Sequence, residues 1–216
     1  IMNKALSKII SLMKNKKYQS AELEIKRVVK KHPESFDWNK LFAVNLLWQE
    51  KYNSAITIFN KCYNIRPEDY DININLALIF NKIQDYKSSI KFSENAIKIN
   101  PDRPEAYHNI AESYLYIRDL RRAKEYITKS IELRGGLGSE KIFDFKDTLN
   151  IYTDILFSNR DEIKLKKICI DLLNKQIFLG DIFRKLLRGF EDAISKRHID
   201  TLHDVLEKIE DYKDIV

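Results

Sequence analysis

The sequence predicts an all-α solenoid of antiparallel helical hairpins, and three observations lead there. Residue types recur at a fixed step of 34: Pro33, Pro67 and Pro101 with Gly135 in the next slot; Tyr18, Tyr52, Tyr86 and Leu120; and Ala21, Ala55, Ser89 and Ala123. Units of that length are too short to bury an apolar face alone, so they gain stability by stacking on their neighbours. Within each unit, apolar residues fall at helical spacing in two runs divided by a short polar turn, the pattern of a helical hairpin. Five glycines and four prolines in 216 residues leave little room for the turns of a β fold.

Taken in order, the first unit is the most degenerate, with Lys8 and Ile9 in its first helix where later units place a large apolar and a small residue. A terminal repeat packed on one side tolerates this. The second unit reads Trp38, Leu41, Phe42, Leu46 and Leu47, turns between Gln49 and Tyr52, and continues with Ala55, Ile56, Phe59, Cys62 and Tyr63. Pro67 then stops the helix, since proline lacks the amide hydrogen and biases its predecessor away from helical geometry. Small residues at Ala43, Ala77 and Ala111, and in the Ala21 register, mark where two helices approach closely and a larger side chain would wedge them apart. After Gly135, Gly136, Leu137 and Gly138 the register is lost. Domain boundaries are therefore placed at 1–135 for four repeats and 136–216 for a helical extension.

Four helices are expected in that extension. One carries Ile142, Phe145, Leu149, Tyr152 and Leu156 and is longer than the repeat helices; the second begins with Leu165, Ile168 and Cys169; the third and fourth centre on Ile182 to Ile194 and Ile199 to Ile209. Two degenerate hairpins continuing the superhelix is the preferred arrangement, and a small bundle folded back on the array is the alternative.

Composition narrows the function classes. A 44% hydrophobic content with 11% aromatics is enough for a core. The longest apolar runs, such as Leu41 to Trp48, fall far short of the ~20 residues a membrane span needs. No secretory signal pattern precedes the first helix. Cys62 and Cys169 are far apart and form no metal or disulfide pattern, which fits a reducing, cytoplasmic setting. The net charge of +6 is local: residues 1–34 hold nine Lys or Arg against three Glu, and the remainder is balanced at 29 of each sign. Lys14, Lys16 and Lys17 sit in the first turn, and Lys26, Arg27, Lys30 and Lys31 near the end of the second helix, where cations favour the helix dipole. An anionic partner at this end is the rival reading, but the later units lack a matching basic stripe, which argues against nucleic acid.

Nothing in the chain has the spacing of a catalytic or metal site. His32, His108, His198 and His203 form no HExxH or Cys/His cluster, and no nucleophile elbow or glycine-rich phosphate loop is present. No enzyme activity, cofactor or metal is expected.

The units resemble the tetratricopeptide repeat over roughly residues 2–135, most closely at Asn75-Leu76-Ala77 with Phe80, Asp85-Tyr86, Ser89, Ala96 and Pro101, and again at Tyr107, Asn109-Ile110-Ala111, Tyr114, Ala123 and Gly135. The resemblance implies that the first helix of each hairpin lines a concave groove. Carried across, that surface includes Leu6, Ile10 and Met13; Lys40, Val44, Leu47 and Trp48; Ile74, Asn75, Leu78 and Lys82; and Glu105, His108, Asn109, Glu112 and Tyr116. It is apolar toward the first unit and polar toward the fourth. Its cover is either a partner peptide or helix, or the chain's own C-terminal helices.

Asn75 and Asn109 share a slot from which, in several relatives of this family, an asparagine bonds the backbone of an extended peptide; the amide offers both donor and acceptor. The carboxylate clamp of the co-chaperone members is not reproduced: Lys40 and Asn75 fit it, while Val44, Glu105 and Asn109 do not. The resemblance therefore implies a protein-interaction scaffold whose partner-binding residues are Lys40, Val44, Leu47, Trp48, Asn75, Leu78, His108, Asn109, Glu112 and Tyr116. Trp48 and Tyr116 would anchor, the asparagines would hold backbone, and Lys40 with His108 and Glu112 would select charge. Similar arrays also stand ahead of glycosyltransferase and sulfotransferase domains, so an N-terminal recruiting or dimerising module of a larger transferase is the alternative. Ile1 preceding Met2 and a C-terminus without an obvious cap are compatible with a fragment. Homo-oligomerisation through the apolar face of the first helix is compatible with every reading.

Overall fold

The computed structural model describes residues 2–137, 146–159, 161, 163–165 and 167–168. Among them are nine helices and no strand: α1 Met2–Lys14, α2 Tyr18–Lys31, α3 Phe36–Trp48, α4 Tyr52–Ile65, α5 Tyr70–Lys82, α6 Tyr86–Ile99, α7 Pro104–Tyr116, α8 Leu120–Leu133 and α9 Lys146–Ser158. The chain divides into two compact units, Ile1–Ser113 and Tyr114–Val216.

In the N-terminal unit α1 pairs with α2, α3 with α4 and α5 with α6, and each hairpin also packs on the next through α2 against α3 and α4 against α5. The turns inside the hairpins repeat the 34-residue step in their backbone. Lys16, Glu50 and Gln84 all lie at positive φ, and so does Arg118 in the following unit. Each ends its helix in the same way: the N–H of Glu50 donates to the Leu47 carbonyl and that of Lys51 to the Leu46 carbonyl, with the same pair at Gln84 and Asp85. These paired hydrogen bonds satisfy the orphan carbonyls of the last helical turn. The turns between hairpins carry a second recurrent tie. Asn39 Nδ2 donates to the Pro33 carbonyl at 2.8 Å, Asn73 Nδ2 to that of Pro67 at 2.8 Å, and Tyr107 Oη to that of Pro101 at 3.0 Å.

Small residues sit where the helices close on one another: Ala21, Ala43, Ala55, Ala77, Ala96, Ala106 and Ala111 are fully buried. Apolar clusters form at these junctions, two of them across the first three hairpins. Ile9, Ala21, Ile25 and Trp38 join the first hairpin to α3. Phe36, Leu46, Phe59, Cys62, Ile72, Leu76 and Ile79 join the second and third hairpins, extended by Phe92, whose ring stacks on Phe80 and meets Tyr63 edge-on. Burial pushes the Cys62 thiol up, so it packs as an apolar group.

A buried charge also crosses the junction of the first two hairpins. Glu22, 8% exposed, bonds Lys26 at 2.6 Å, Lys51 at 2.7 Å and Gln49 at 2.9 Å. Burial alone would raise its carboxyl, but these three donors outweigh that effect and hold it down at about 2.

In the C-terminal unit α8 packs against α9. Asp119 caps α8 by accepting the Arg122 N–H, and Gly135 and Gly136, both at positive φ, close its far end with bonds to the Glu132 and Ile131 carbonyls. The glycines expected to break the register thus form a helix stop. On α9, Leu149, Tyr152 and Leu156 are buried as their spacing predicts, and Leu165 and Ile168 are buried too. Gly138, Ile142, Phe145, Cys169, His198 and His203, and the helices expected beyond them, lie outside the described residues. Among the described residues no helix is long and apolar enough to cross a membrane.

Candidate functional site

The open face of the N-terminal unit contains a cleft of about 610 Å³. Leu6 of α1 forms one wall, and Trp38, Leu41 and Val44 of α3 form the other. His32 and Ser35 of the α2–α3 turn, and Asp37 and Lys40 at the start of α3, complete its mouth. On α1, Ile9 points into the core against Ala21, Ile25 and Trp38, while Leu6 and Ile10 stay 38% and 39% exposed. Leu6, Lys40 and Val44 are among the residues the groove register selects. His32, Ser35, Asp37, Trp38 and Leu41 are not, because their place at the cleft depends on how the first two hairpins meet.

Beside the cleft runs a ladder of charges linking the beginnings of α3, α5 and α7. Lys40 Nζ lies 2.9 and 3.0 Å from the two carboxylate oxygens of Asp69 and 3.0 Å from Asp71. Arg103 continues the ladder to Asp71 at 3.2 Å and Glu105 at 3.4 Å, with its guanidinium 4.0 Å above the Tyr70 ring. The Tyr70 hydroxyl closes it by donating to Glu105 at 3.2 Å. Burial alone would lower the Lys40 ammonium, yet its two aspartates push it up. Burial likewise opposes ionisation of Asp71, which Lys40 and Arg103 nonetheless hold below the ordinary carboxylate range. Asp69 does a second task, accepting the Ile72 N–H as the N-cap of α5.

The other residues of the expected site are placed as follows. Trp48 is 57% exposed at the end of α3, whereas Leu47 beside it is buried in the core of the second and third hairpins. Leu78 is partly buried and packs against that same core. Asn75 turns its Nδ2 back to the Asp71 carbonyl at 2.7 Å. Asn109 is buried, and its carbonyl accepts from Asn81 Nδ2 at 3.0 Å. Glu112 accepts from the same amide at 3.1 Å, and His108 lies half-buried on α7. Tyr116, in the C-terminal unit, is 59% exposed.

Asn81 is the polar residue that sequence reasoning missed. It is buried, bonds both Asn109 and Glu112, and accepts from the Ser113 hydroxyl at 2.5 Å. An asparagine near the end of α5 reads as solvent-facing until α7 is seen to cover it. No group of three or more His, Cys, Asp or Glu that could hold a metal is present among the described residues.

Two adjacent stretches, residues 70–103 and 104–136, match the tetratricopeptide repeat model. No curated protein matches the sequence. Among solved structures, the chain is similar to PilF of Pseudomonas aeruginosa at 15% identity and a TM-score of 0.67, covering 98% of this chain and 91% of that one. A thermophilic TPR protein of Thermus thermophilus superposes at 11% identity and a TM-score of 0.68, over 88% and 99% of the two chains. MamA of Desulfovibrio magneticus RS-1 does so at 14% identity and a TM-score of 0.59, over 92% and 96%. At such identities the likeness speaks for the fold alone. Residues 70–136 thus read as two tetratricopeptide repeats, the 34-residue step runs on through the turns before them, and the fold is that of tetratricopeptide-repeat solenoids.

Proposed function

We propose that the protein is a non-enzymatic cytoplasmic adaptor that holds a peptide or helical segment of a partner protein on the open face of its N-terminal unit. The cleft between α1 and α3 carries this reading, because it offers a large apolar side chain a place out of water against Leu6, Trp38, Leu41 and Val44. Trp48, exposed a turn beyond Val44, would extend the apolar contact along α3. The asparagines play a smaller part than their register implies. Asn109 is buried and its backbone carbonyl accepts from Asn81, while Asn75 Oδ1 is left for a ligand.

A random peptide display library panned against the whole chain tests the reading, with a Val44→Trp variant that fills the cleft as counter-screen. Circular dichroism checks that the variant keeps its helices. Peptides enriched on the wild-type chain are expected to lose at least about tenfold in affinity for the variant, the order of effect seen when an anchoring side chain loses its pocket. Equal binding to both chains would place the interaction elsewhere.

A further inference from the structure

We propose that the partner segment is cationic: a large apolar side chain for the cleft, with a lysine or arginine close by for Asp37 at its mouth. This rests on the groove reading above and adds the sign of the ligand. Asp37, Asp71 and Glu105 stand one 34-residue step apart, each in the first turn of α3, α5 and α7, so a carboxylate recurs at the same corner of three successive hairpins. With Asp69 they make four carboxylates, against the two cations Lys40 and Arg103.

Both cations are already engaged. Lys40 has three carboxylate oxygens within 3.0 Å, and Arg103 is held between Asp71 and Glu105 on the Tyr70 ring. An incoming anion would have to displace those partners. An incoming ammonium or guanidinium displaces nothing, because Asp37 lines the cleft and has no ion pair among the described residues. A charge-assisted bond there, beside apolar walls, is stronger than one in open solvent. The opposing field comes from Lys4 on α1 and from Lys30 and Lys31 in the last turn of α2. These side chains are exposed, as Asp37 is, but none of them lines the cleft, and their field decays over about 8 Å at physiological salt.

The same display library tests the sign. Peptides enriched on the wild-type chain are expected to pair Lys or Arg with a large apolar residue. A labelled synthetic copy of the most enriched sequence should bind an Asp37→Lys variant about tenfold more weakly and an Asp37→Asn variant at an intermediate level, and should weaken as salt rises. Asp37 is exposed, so both variants should fold, and circular dichroism verifies it. Enriched sequences that depend on Val44 but are acidic or uncharged, or that bind the Asp37→Lys chain as tightly, overturn the cationic assignment and leave the groove reading standing. Sequences indifferent to Val44→Trp, or no enrichment at all, overturn both.

Discussion

Ser89 occupies the slot that Ala21, Ala55 and Ala123 fill with a methyl group in the other hairpins. It is as fully buried as they are, and its hydroxyl has no hydrogen-bond partner among the described residues. A buried hydroxyl left unpaired gives up its hydration without return. Ser89→Ala is therefore expected to raise stability by about 1 kcal/mol, read as a higher urea midpoint with an unchanged slope. A lower midpoint would mean that the hydroxyl is satisfied after all. The period made this slot legible, because small residues at one step identify a close approach whatever the neighbours are. The state of Lys40 was not legible. Its groove register suggested a charge ready for a ligand, but Asp69 and Asp71, 29 and 31 positions away, meet it within the chain.

At the scale of elements, the first two hairpins are joined by an apolar core and by one buried carboxylate with its donors. Glu22 ionises at about 2 in the folded chain against 4.5 when unperturbed, so its carboxylate form is the one folding favours. The contribution is present in full above about pH 4.5 and is lost as the pH falls from there through about 2. By linkage it amounts to about 3 kcal/mol. Thermal melts between pH 6 and pH 2 should show this decline in the wild-type chain. Glu22→Gln should be less stable at neutral pH and show a flatter acid limb. A Glu22→Gln chain with the wild-type acid profile would assign the decline to other carboxylates. The sequence showed Glu22 only as one of many acidic residues on a helix, since its burial comes from Gln49 and Lys51 closing over it from the next hairpin.

Across the whole molecule, stability in a repeat array is a sum of hairpins and the contacts between neighbours, so a hairpin with fewer contacts should loosen first. The two tryptophans can report this. Trp38 is buried with Ile9, Ala21 and Ile25 of the terminal hairpin, while Trp48 is exposed. In a Trp48→Phe variant the emission comes from Trp38 alone. Its urea transition is expected to precede the loss of helical circular dichroism, because among the described residues α1 packs mainly against α2 and leaves Leu6 and Ile10 exposed. Coincident transitions would show that the first hairpin unfolds together with the rest.

By itself the sequence determined the helical hairpins, their 34-residue step, the stops between them and the small residues at their crossings. Each of these is written locally or repeats one unit away, so pattern alone reveals it. The tertiary structure decided which groove positions are open. Leu47 and Asn109 share the groove register with Val44 and Asn75 but are buried, and Trp38, a core residue by its spacing, also walls the cleft. Whether a side chain on a solenoid meets solvent, a ligand or a neighbour depends on the angle at which the next hairpin arrives, and that angle is set by packing between residues some thirty positions apart.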